Sequence, residues 1–340
     1  MSCRTFVMVL MGAIKSSHQN LSNMKKRIYS YAIPTCIAAF LIILSSCNKD
    51  DDEISTISGL ISDRSSLNTL NTAIIKGGLV AKLNGTEQLT LLAPTNDAFS
   101  AAEITPTVLE FLSSNDVANI LYYHVIPGKI LAADMPVGPN AKVLTFNGDS
   151  VFVTKNTNGV FVNGIKVFEV DVLASNGVVH TLNTGVLRPA PGDILATAAA
   201  NGLDSMVKAL NFAVTGAGGD PSIATSISND LLTVFAPSNA AFTALLADLA
   251  LTDITQIDMA TLIATLKFHA FQGRMFSSDL TNGNLTMVSG GITTITLPSG
   301  SSTFATISGF GNGTNTAKIT KPNINARNGV IHVIDKVIIP

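Results

Sequence analysis

Histidine is the side chain in this sequence best suited to acid–base or metal chemistry, because its pKa lies near neutral pH. One of the five histidines is His18, and the other four occupy matched positions in two halves of the chain, as His124, His180, His269 and His332. Two interpretations are open. The imidazoles could bind a ligand or metal and move protons, or they could be buried and bonded to the backbone. We favour the second, because one pair lies in predicted strands and the other ends helices, where imidazole can bond terminal carbonyls.

Other residues that carry chemistry are sparse. The three cysteines are Cys3, Cys36 and Cys47, so nothing after Cys47 can form a disulfide or a thiolate metal site. The sequence contains no phosphate-binding loop, no zinc-protease helix motif and no nucleophile elbow. We therefore expect a non-enzymatic protein with no catalytic residue, no metal and no cofactor. A hydrolase that uses the matched histidines stays open as a less favoured alternative.

Cys47 follows a stretch that has the features of an export signal. A basic run, Met24-Lys-Lys-Arg27, precedes the apolar run 37–44, which is too short for a membrane span of about 20 residues. We expect Met24 to be the true start and residues 1–46 to be the signal region. Leu44-Ser-Ser-Cys47 resembles the lipobox of bacterial lipoproteins, and this resemblance implies that the thiol of Cys47 is lipidated.

Residues 47–53 continue as an acidic tether, Cys-Asn-Lys-Asp-Asp-Asp-Glu. A run of like charges extends and stays solvated. The run also resembles the lysine-plus-acidic signal that sends lipoproteins to the surface of certain Gram-negative bacteria. We expect a lipid anchor in the outer membrane with the chain displayed outwards, and a periplasmic orientation stays open.

The composition indicates folded domains and argues against nucleic acid as a partner. Apolar residues make up 46% of the chain, which is enough for real cores. Beyond residue 46 the chain has 16 basic and 23 acidic residues. An acidic chain without a basic cluster is a poor binder of nucleic acids.

A tandem duplication organises everything after the tether. Each copy has a strand ended by proline, then a capping pair such as Thr95-Asn96 or Ser238-Asn239 at a helix start. The recurring blocks are Thr90–Phe99 with Thr233–Phe242, Tyr123–Asp134 with Phe268–Asp279, and Ala174–His180 with Ala326–His332.

Within each copy the pattern predicts helices first and strands later. In the first copy, short alternating runs separated by Asn-Gly pairs predict strands at Val143–Phe146, Ser150–Thr154, Val160–Val162 and Lys166–Val172. In the second copy the Gly/Ser/Thr-rich stretch Ser289–Thr316 is longer, and it predicts an extended hairpin or loop. These elements indicate the α+β class.

The three blocks, in this order, resemble the signature segments and the central Tyr-His motif of fasciclin-like domains. The resemblance implies two domains, each a β-wedge or sandwich of short strands packed with several α-helices. We place the first domain at residues 54–189 and the second at 190–340, with a linker at Pro189-Ala-Pro-Gly192.

The family is associated with adhesion and surface attachment, and in animal members the Tyr-His region is implicated in receptor binding. By position, this implies possible partner contacts at Tyr123, His124, Phe268 and His269, although the second copy lacks the tyrosine hydroxyl. The sequence thus predicts a cell-envelope lipoprotein that binds the membrane through Cys47 and a protein or glycan at the cell surface. A structural scaffold in the periplasm is the alternative.

Overall fold

The opening strand of each copy lies between two layers of core. The computed structural model describes residues 54–299 and 305–340; the predicted signal region, Cys47 and the tether lie outside the described residues. Leu89, Leu91 and Ala93 face a core built with the helices, whereas Leu92 faces a second core built with the later strands. Alternate residues of a strand point to opposite faces, so a strand covered on both faces is buried throughout, as observed.

Helices surround one face of this strand in each domain. In the first domain they span Ile57–Ser62, Asn68–Lys76, Val80–Leu83, Asn96–Ala101, Pro106–Phe111 and Ser114–Tyr123. In the second they span Ile194–Ala200, Asp204–Thr215, Ser222–Asn229, Asn239–Asp248 and Met259–Phe268. Among the described residues, no helix has the length and apolar character needed to cross a bilayer.

Fifteen strands are described, and they are short. In the first domain they are β1 (Leu89–Pro94), β2 (Val125–Pro127), β3 (Gly138–Leu144), β4 (Ser150–Asn156), β5 (Gly159–Val162), β6 (Ile165–Lys166), β7 (Val172–Ala174) and β8 (Gly177–Leu182). In the second they are β9 (Leu232–Pro237), β10 (Ala270–Gln272), β11 (Gly283–Thr286), β12 (Ile292–Thr296), β13 (Thr306–Ser308), β14 (Ala317–Ala326) and β15 (Gly329–Ile334). The predicted α+β fold is confirmed.

A parallel pair forms the centre of each domain. β1 pairs with β8 and β9 pairs with β15, each over six residues. The pairing begins at Gly177 and Gly329, where a Cβ atom would lie 1.9 Å from the Leu89 carbonyl oxygen and 2.0 Å from that of Leu232. Only glycine allows this approach, which explains the repeated Asn-Gly pair.

The two domains arrange their remaining strands differently. The first has two four-stranded sheets, in the orders β2-β1-β8-β7 and β3-β4-β5-β6. The second joins all its strands into one seven-stranded sheet, because β14 runs through ten residues despite two register shifts. The predicted continuous strand Lys166–Val172 is wrong. β6 ends at Lys166, Val167 forms an isolated bridge with Leu182, and β7 begins only at Val172, after Asp171 with a left-handed φ of 60°.

The strand predicted at Val143–Phe146 begins earlier and ends earlier, at Gly138–Leu144, and the predicted helix caps are confirmed. Thr95 and Ser238 cap their helices by accepting hydrogen bonds from the Ala98 and Ala241 N–H groups, at 3.3 and 3.1 Å. The Ser289–Thr316 stretch contains the hairpin β12–β13, of which residues 300–304 lie outside the description, and a 3₁₀ turn at Phe310–Asn312.

Candidate functional site

His124 and His269 lie at the ends of equivalent helices and are fully committed to the backbone. The Nδ1–H of His124 donates to the Ile120 carbonyl at 2.8 Å, and its Nε2 accepts from the Leu187 N–H at 3.0 Å. His269 repeats both contacts, with Thr265 at 2.7 Å and Ile338 at 3.1 Å. These partners define the neutral tautomer. Burial lowers the pKa of both imidazoles to about 4.

His180 and His332 are committed in the opposite tautomer. Their Nε2–H groups donate to the carbonyls of Ile130 and Met275, at 2.9 and 2.8 Å. Nδ1 of His180 accepts from the Asp171 N–H at 3.1 Å, and burial lowers the pKa of His180. Burial likewise lowers the pKa of His332 to about 4. The interpretation of these four residues as buried, backbone-bonded histidines is confirmed, and no ring nitrogen is left to bind a metal or substrate.

Tyr123 and Phe268 are buried as well. Tyr123, His124, Phe268 and His269 are exposed by 0–1%. The ring of Phe268 is covered by two glycines, since a Cβ on Gly291 would lie 2.7 Å from it and one on Gly309 2.5 Å. The prediction that these four side chains contact a partner is therefore corrected. In this conformation they lie inside the fold and can only support the surface above them.

The repeated polar residues are internal clamps. Asn176 accepts from the Ile57 N–H and donates to the carbonyls of Leu83 and Gly85. Asn328 makes the same three contacts in the second domain, with Ile194, Ile227 and Asp230. Each amide thus ties the first helix of its domain to the chain segment before the central strand.

A second clamp holds the turn that follows the Tyr-His segment. The Thr90 hydroxyl donates to the Gly128 carbonyl and accepts from the Ile130 N–H, at 2.7 and 2.8 Å. Thr233 does the same with Gly273 and Met275. The hydrogen bonds of these signature residues therefore stabilise the fold.

The Tyr123 hydroxyl is the centre of a joint between the two domains. It donates to the Ser150 carbonyl at 2.9 Å and accepts from the side-chain amide of Asn163 at 3.0 Å. It also accepts from the amide of Asn325, in the second domain, at 3.2 Å. Burial raises the pKa of Tyr123 to about 12, so this hydroxyl stays neutral in physiological solution.

Arg274 is the second anchor of the joint. Its guanidinium carbon lies 3.9 Å from the centroid of the Phe152 ring in the first domain. The guanidinium also donates to the carbonyls of Ala326 and Gly329 within its own domain, which fixes it over the ring. Burial lowers the pKa of Arg274 to about 10, so the group remains a cation that can interact with the aromatic face.

Further hydrogen bonds cross the joint around these anchors. The Asn140 amide donates to the Arg274 carbonyl, and the Thr154 hydroxyl donates to the Asp279 carboxylate, both at 2.8 Å. A Cβ on Gly164 would lie 2.6 Å from the Asn323 side chain, so the two domains also touch closely there. Sequence reasoning missed this joint. Its signal was the set of positions at which the two copies differ, such as Tyr123 against Phe268.

The solvent-exposed aromatic residues lie elsewhere. Phe111, Phe168 and Phe310 are exposed by 86%, 72% and 93%. Phe310 belongs to the Ser289–Thr316 stretch and lies beside the C-terminal segment, because the neighbouring Gly311 N–H donates to the Ile339 carbonyl at 3.1 Å. In the part of the chain that the structure describes, no group of three or more His, Cys, Asp or Glu residues is placed to hold a metal ion.

Comparison with known proteins settles the family. The model of the fasciclin domain matches residues 65–189 and 208–340. The chain belongs to the fasciclin-domain family. Protein sll1483 of Synechocystis sp. is 34% identical over 140 residues, a region that covers 41% of this chain and 76% of that protein.

Longer proteins match over one fasciclin domain. The transforming growth factor-beta-induced protein ig-h3 of Sus scrofa is 35% identical over 134 residues, and human periostin is 29% identical over 122 residues. The match spans 39% and 36% of this chain but only 19% and 14% of those proteins. Fasciclin domains thus occur in much longer chains.

A solved structure of two such domains also matches this chain. It is a FAS1 domain pair from the insect cell adhesion molecule Fasciclin I, with 18% sequence identity and a TM-score of 0.38. The alignment covers 82% of this chain and 98% of that one.

Proposed function

We propose that this fasciclin-domain protein is a non-enzymatic lipoprotein of a bacterial cell envelope, anchored through Cys47 and binding a protein or glycan at the cell surface. The observation that carries the proposal is the state of the four histidines. Both ring nitrogens of each are occupied by backbone groups, so the side chains best suited to catalysis are structural. What remains available to a partner is the outer surface of two packed domains.

The exposed aromatic residues are the first places to look for that contact. Aromatic side chains are enriched in protein interfaces relative to the rest of the protein surface. Phe310 is the most exposed of them at 93%, and Ile339 beside it is exposed by 41%. A ligand that covers this pair would bury apolar area without disturbing either core.

Binding can be tested with the chain from residue 54, which contains both complete cores. It would be applied to arrays of glycans and of surface and matrix proteins, together with the variant Phe310→Ser and the control Phe111→Ser. We expect at least one ligand, with binding reduced by Phe310→Ser and unchanged by Phe111→Ser. Silence on every array, together with normal attachment by a deletion strain, would falsify the adhesion proposal.

The anchor and its orientation need a separate experiment on cells. Labelled fatty acid should enter the wild-type protein and not the Cys47→Ala variant. Protease added to intact cells should remove the protein if it faces outwards. Protection from protease, with crosslinks to the cell's own envelope components, would instead support a structural role in the periplasm.

A further inference from the structure

The joint between the fasciclin domains has two faces, and each has a second copy elsewhere in the molecule. We call the side contributed by the second domain the head face, defined by Arg274, Asp279 and Asn325. We call the side contributed by the first domain the strand face, defined by Asn140 and Thr154 together with the hydroxyl of Tyr123. Because the chain is duplicated, the first domain also has a head face and the second domain also has a strand face.

The head face of the first domain consists of Lys129, Asp134 and Leu173. Their equivalence to Arg274, Asp279 and Asn325 follows from the repeat and from shared contacts. Within that repeat, the Asp171 carboxylate accepts from the Ala132 N–H at 2.8 Å, just as the Asn323 side chain accepts from the Ser277 N–H at 2.7 Å.

These residues are exposed, whereas their counterparts at the joint are half-buried. Lys129, Asp134 and Leu173 all face solvent, and Leu173 is exposed by 49%. The first domain therefore presents an uncovered surface at the place where the second domain is covered by its neighbour.

The strand face of the second domain consists of Asn282 and Thr296. Strand register establishes the equivalence, because Ala141 pairs with Val153 in the first domain as Gly283 pairs with Ile295 in the second. Asn140 precedes Ala141 and Thr154 follows Val153. In the same way, Asn282 precedes Gly283 and Thr296 follows Ile295. Asn282 and Thr296 are both exposed.

The two uncovered faces retain the hydrogen-bonding groups of the joint. At the joint, the Asn140 amide donates to the Arg274 carbonyl. Asn282 has the same amide, and the equivalent carbonyl belongs to Lys129. The Thr154 hydroxyl donates to the Asp279 carboxylate at the joint. Thr296 has the same hydroxyl, and the equivalent carboxylate belongs to Asp134.

The residues equivalent to Tyr123 and Asn325 differ on the uncovered faces, and the change is compatible with a contact. Asn325 satisfies the Tyr123 hydroxyl at the joint, but Phe268 has no hydroxyl to satisfy. The residue that takes the place of Asn325 on the uncovered head face is the apolar Leu173. Phe268 lies beneath Gly291 and Gly309 within its own domain, so the uncovered strand face has no buried hydroxyl to satisfy, and Leu173 has no amide that would be left without a partner.

We propose that these faces bind a second copy of this chain, with the strand face of one second domain on the head face of the next first domain. The inference goes beyond the proposed adhesive function and does not depend on it. A contact between two different faces is heterologous, so each copy still has one free face and the assembly can grow.

The contact between copies is weaker than the joint within a chain. Thr294 stands where Phe152 lies under Arg274, so the cation–π contact is missing. Val153 pairs with Val162 as Ile295 pairs with Ile307, so Gly309 corresponds to Gly164. The Ile339 carbonyl lies against Gly309 as Asn323 lies against Gly164 at the joint, so the C-terminal segment occupies that part of the strand face. Association should therefore be reversible and depend on concentration.

Sedimentation of the chain from residue 54 at increasing concentration tests the proposal. The average mass of the wild type should rise beyond that of a dimer. Leu173→Asp on the head face and Thr296→Arg on the strand face should each weaken association at least tenfold. Phe111→Asp, an equally drastic change at an exposed residue outside both faces, should have no effect.

A mixture of the two variants gives the sharpest result. The Leu173→Asp chain keeps its strand face and the Thr296→Arg chain keeps its head face, so together they should form one mixed dimer and stop. A constant monomer mass, a wild type that stops at dimer, or growth that neither variant alters would overturn the proposal. If Leu173→Asp does not fold, Asp134→Arg replaces it as the variant of the head face.

Discussion

The two fasciclin domains carry the same internal clamps but differ where they touch. Thr90 and Thr233 hold the same turn, and Asn176 and Asn328 hold the same helix. In contrast, Tyr123 and Phe268 occupy one position of the repeat, yet only the tyrosine reaches the other domain. Duplication within one chain thus separates residues that every copy needs to fold from residues that one copy needs at the joint.

The histidines belong to the first group. Each domain has one at the end of a helix and one in its last strand, and the backbone partners are the same in both. Their repetition in both copies is therefore explained by folding alone. A repeated residue with catalytic potential is not by itself a sign of an active site.

Lowering the pH should reduce the free energy of unfolding more than any other change, because it acts on the buried histidines of both domains at once. The pKa values of His124, His269 and His332 are lowered from 6.5 to about 4, so between these values the unfolded chain binds more protons than the folded one. The contribution of these neutral imidazoles to the free energy of unfolding is fully present above about pH 6.5 and is lost as the pH drops towards 4. One pKa unit corresponds to about 1.4 kcal/mol, so the total loss reaches several kcal/mol.

Urea unfolding of the chain from residue 54, at a series of pH values from 8 to 4.5, measures this loss. The profile should be flat at the alkaline end and should fall on the acid side. A free energy of unfolding that stays constant down to pH 4.5 would show that the imidazoles are not held neutral by the fold.

The asparagine clamps should give the next largest effect, and an equal one in the two domains. Asn176→Ala or Asn328→Ala leaves one N–H and two carbonyl groups without their partner, which should cost about 3 kcal/mol of unfolding free energy. Thermal or urea unfolding measures it. Asn211→Ala, at an exposed position of the helix Asp204–Thr215, is the matched control. A large cost in only one domain would contradict the equivalence of the clamps.

Arg274→Ala should uncouple the unfolding of the two domains, whereas Lys129→Ala at the equivalent position should not. Removing Arg274 deletes a cation–π contact and several hydrogen bonds to main-chain carbonyls, with an expected cost of about 2 kcal/mol. Lys129 is exposed, so its loss should change stability by less than about 0.5 kcal/mol. Calorimetry should show one transition for the wild type and a broader or split one for Arg274→Ala. Equal effects of the two substitutions would count against the joint.

Local rules predicted what is local in this fold. The proline that ends each opening strand, the capping Thr95 and Ser238, and the glycine turns all act within a few residues, and the structure confirms them. The histidines could be interpreted correctly because their neighbours in sequence indicated buried strands and helix ends. The strand predicted at Lys166–Val172 failed because the left-handed Asp171 has no strong signal in composition.

The difference between the two copies marks Tyr123 as unusual, but its partner across the joint could not be predicted because the two residues are distant in sequence. Tyr123 and Asn325 are 202 residues apart, and neither has a neighbour that reveals the contact. The resemblance to fasciclin-like domains suggested that Tyr123 faces a partner. The partner in this structure is the second domain of the same chain, and the side chain is completely buried.

The Tyr123 hydroxyl offers the finest test of the comparison between domains. Tyr123→Phe makes the first domain resemble the second at this position. It leaves the ring packing intact but removes the acceptor for Asn163 and Asn325 and the donor to Ser150. The expected cost is about 1 kcal/mol, and the loss should fall on the joint more than on the core of the first domain. Combining Tyr123→Phe with Asn325→Leu should recover part of it, because both sides then become apolar.

The ionisation of Tyr123 reports on the same contact. The chain from residue 54 contains two tyrosines, Tyr122 and Tyr123, so the difference in absorbance between the wild type and Tyr123→Phe isolates one hydroxyl. That hydroxyl should ionise only near pH 12 while the fold persists. In the Asn325→Ala variant the joint loosens and water reaches the ring, so ionisation should move towards the ordinary value of about 10. If it does not move, Asn325 does not hold the domains together through Tyr123.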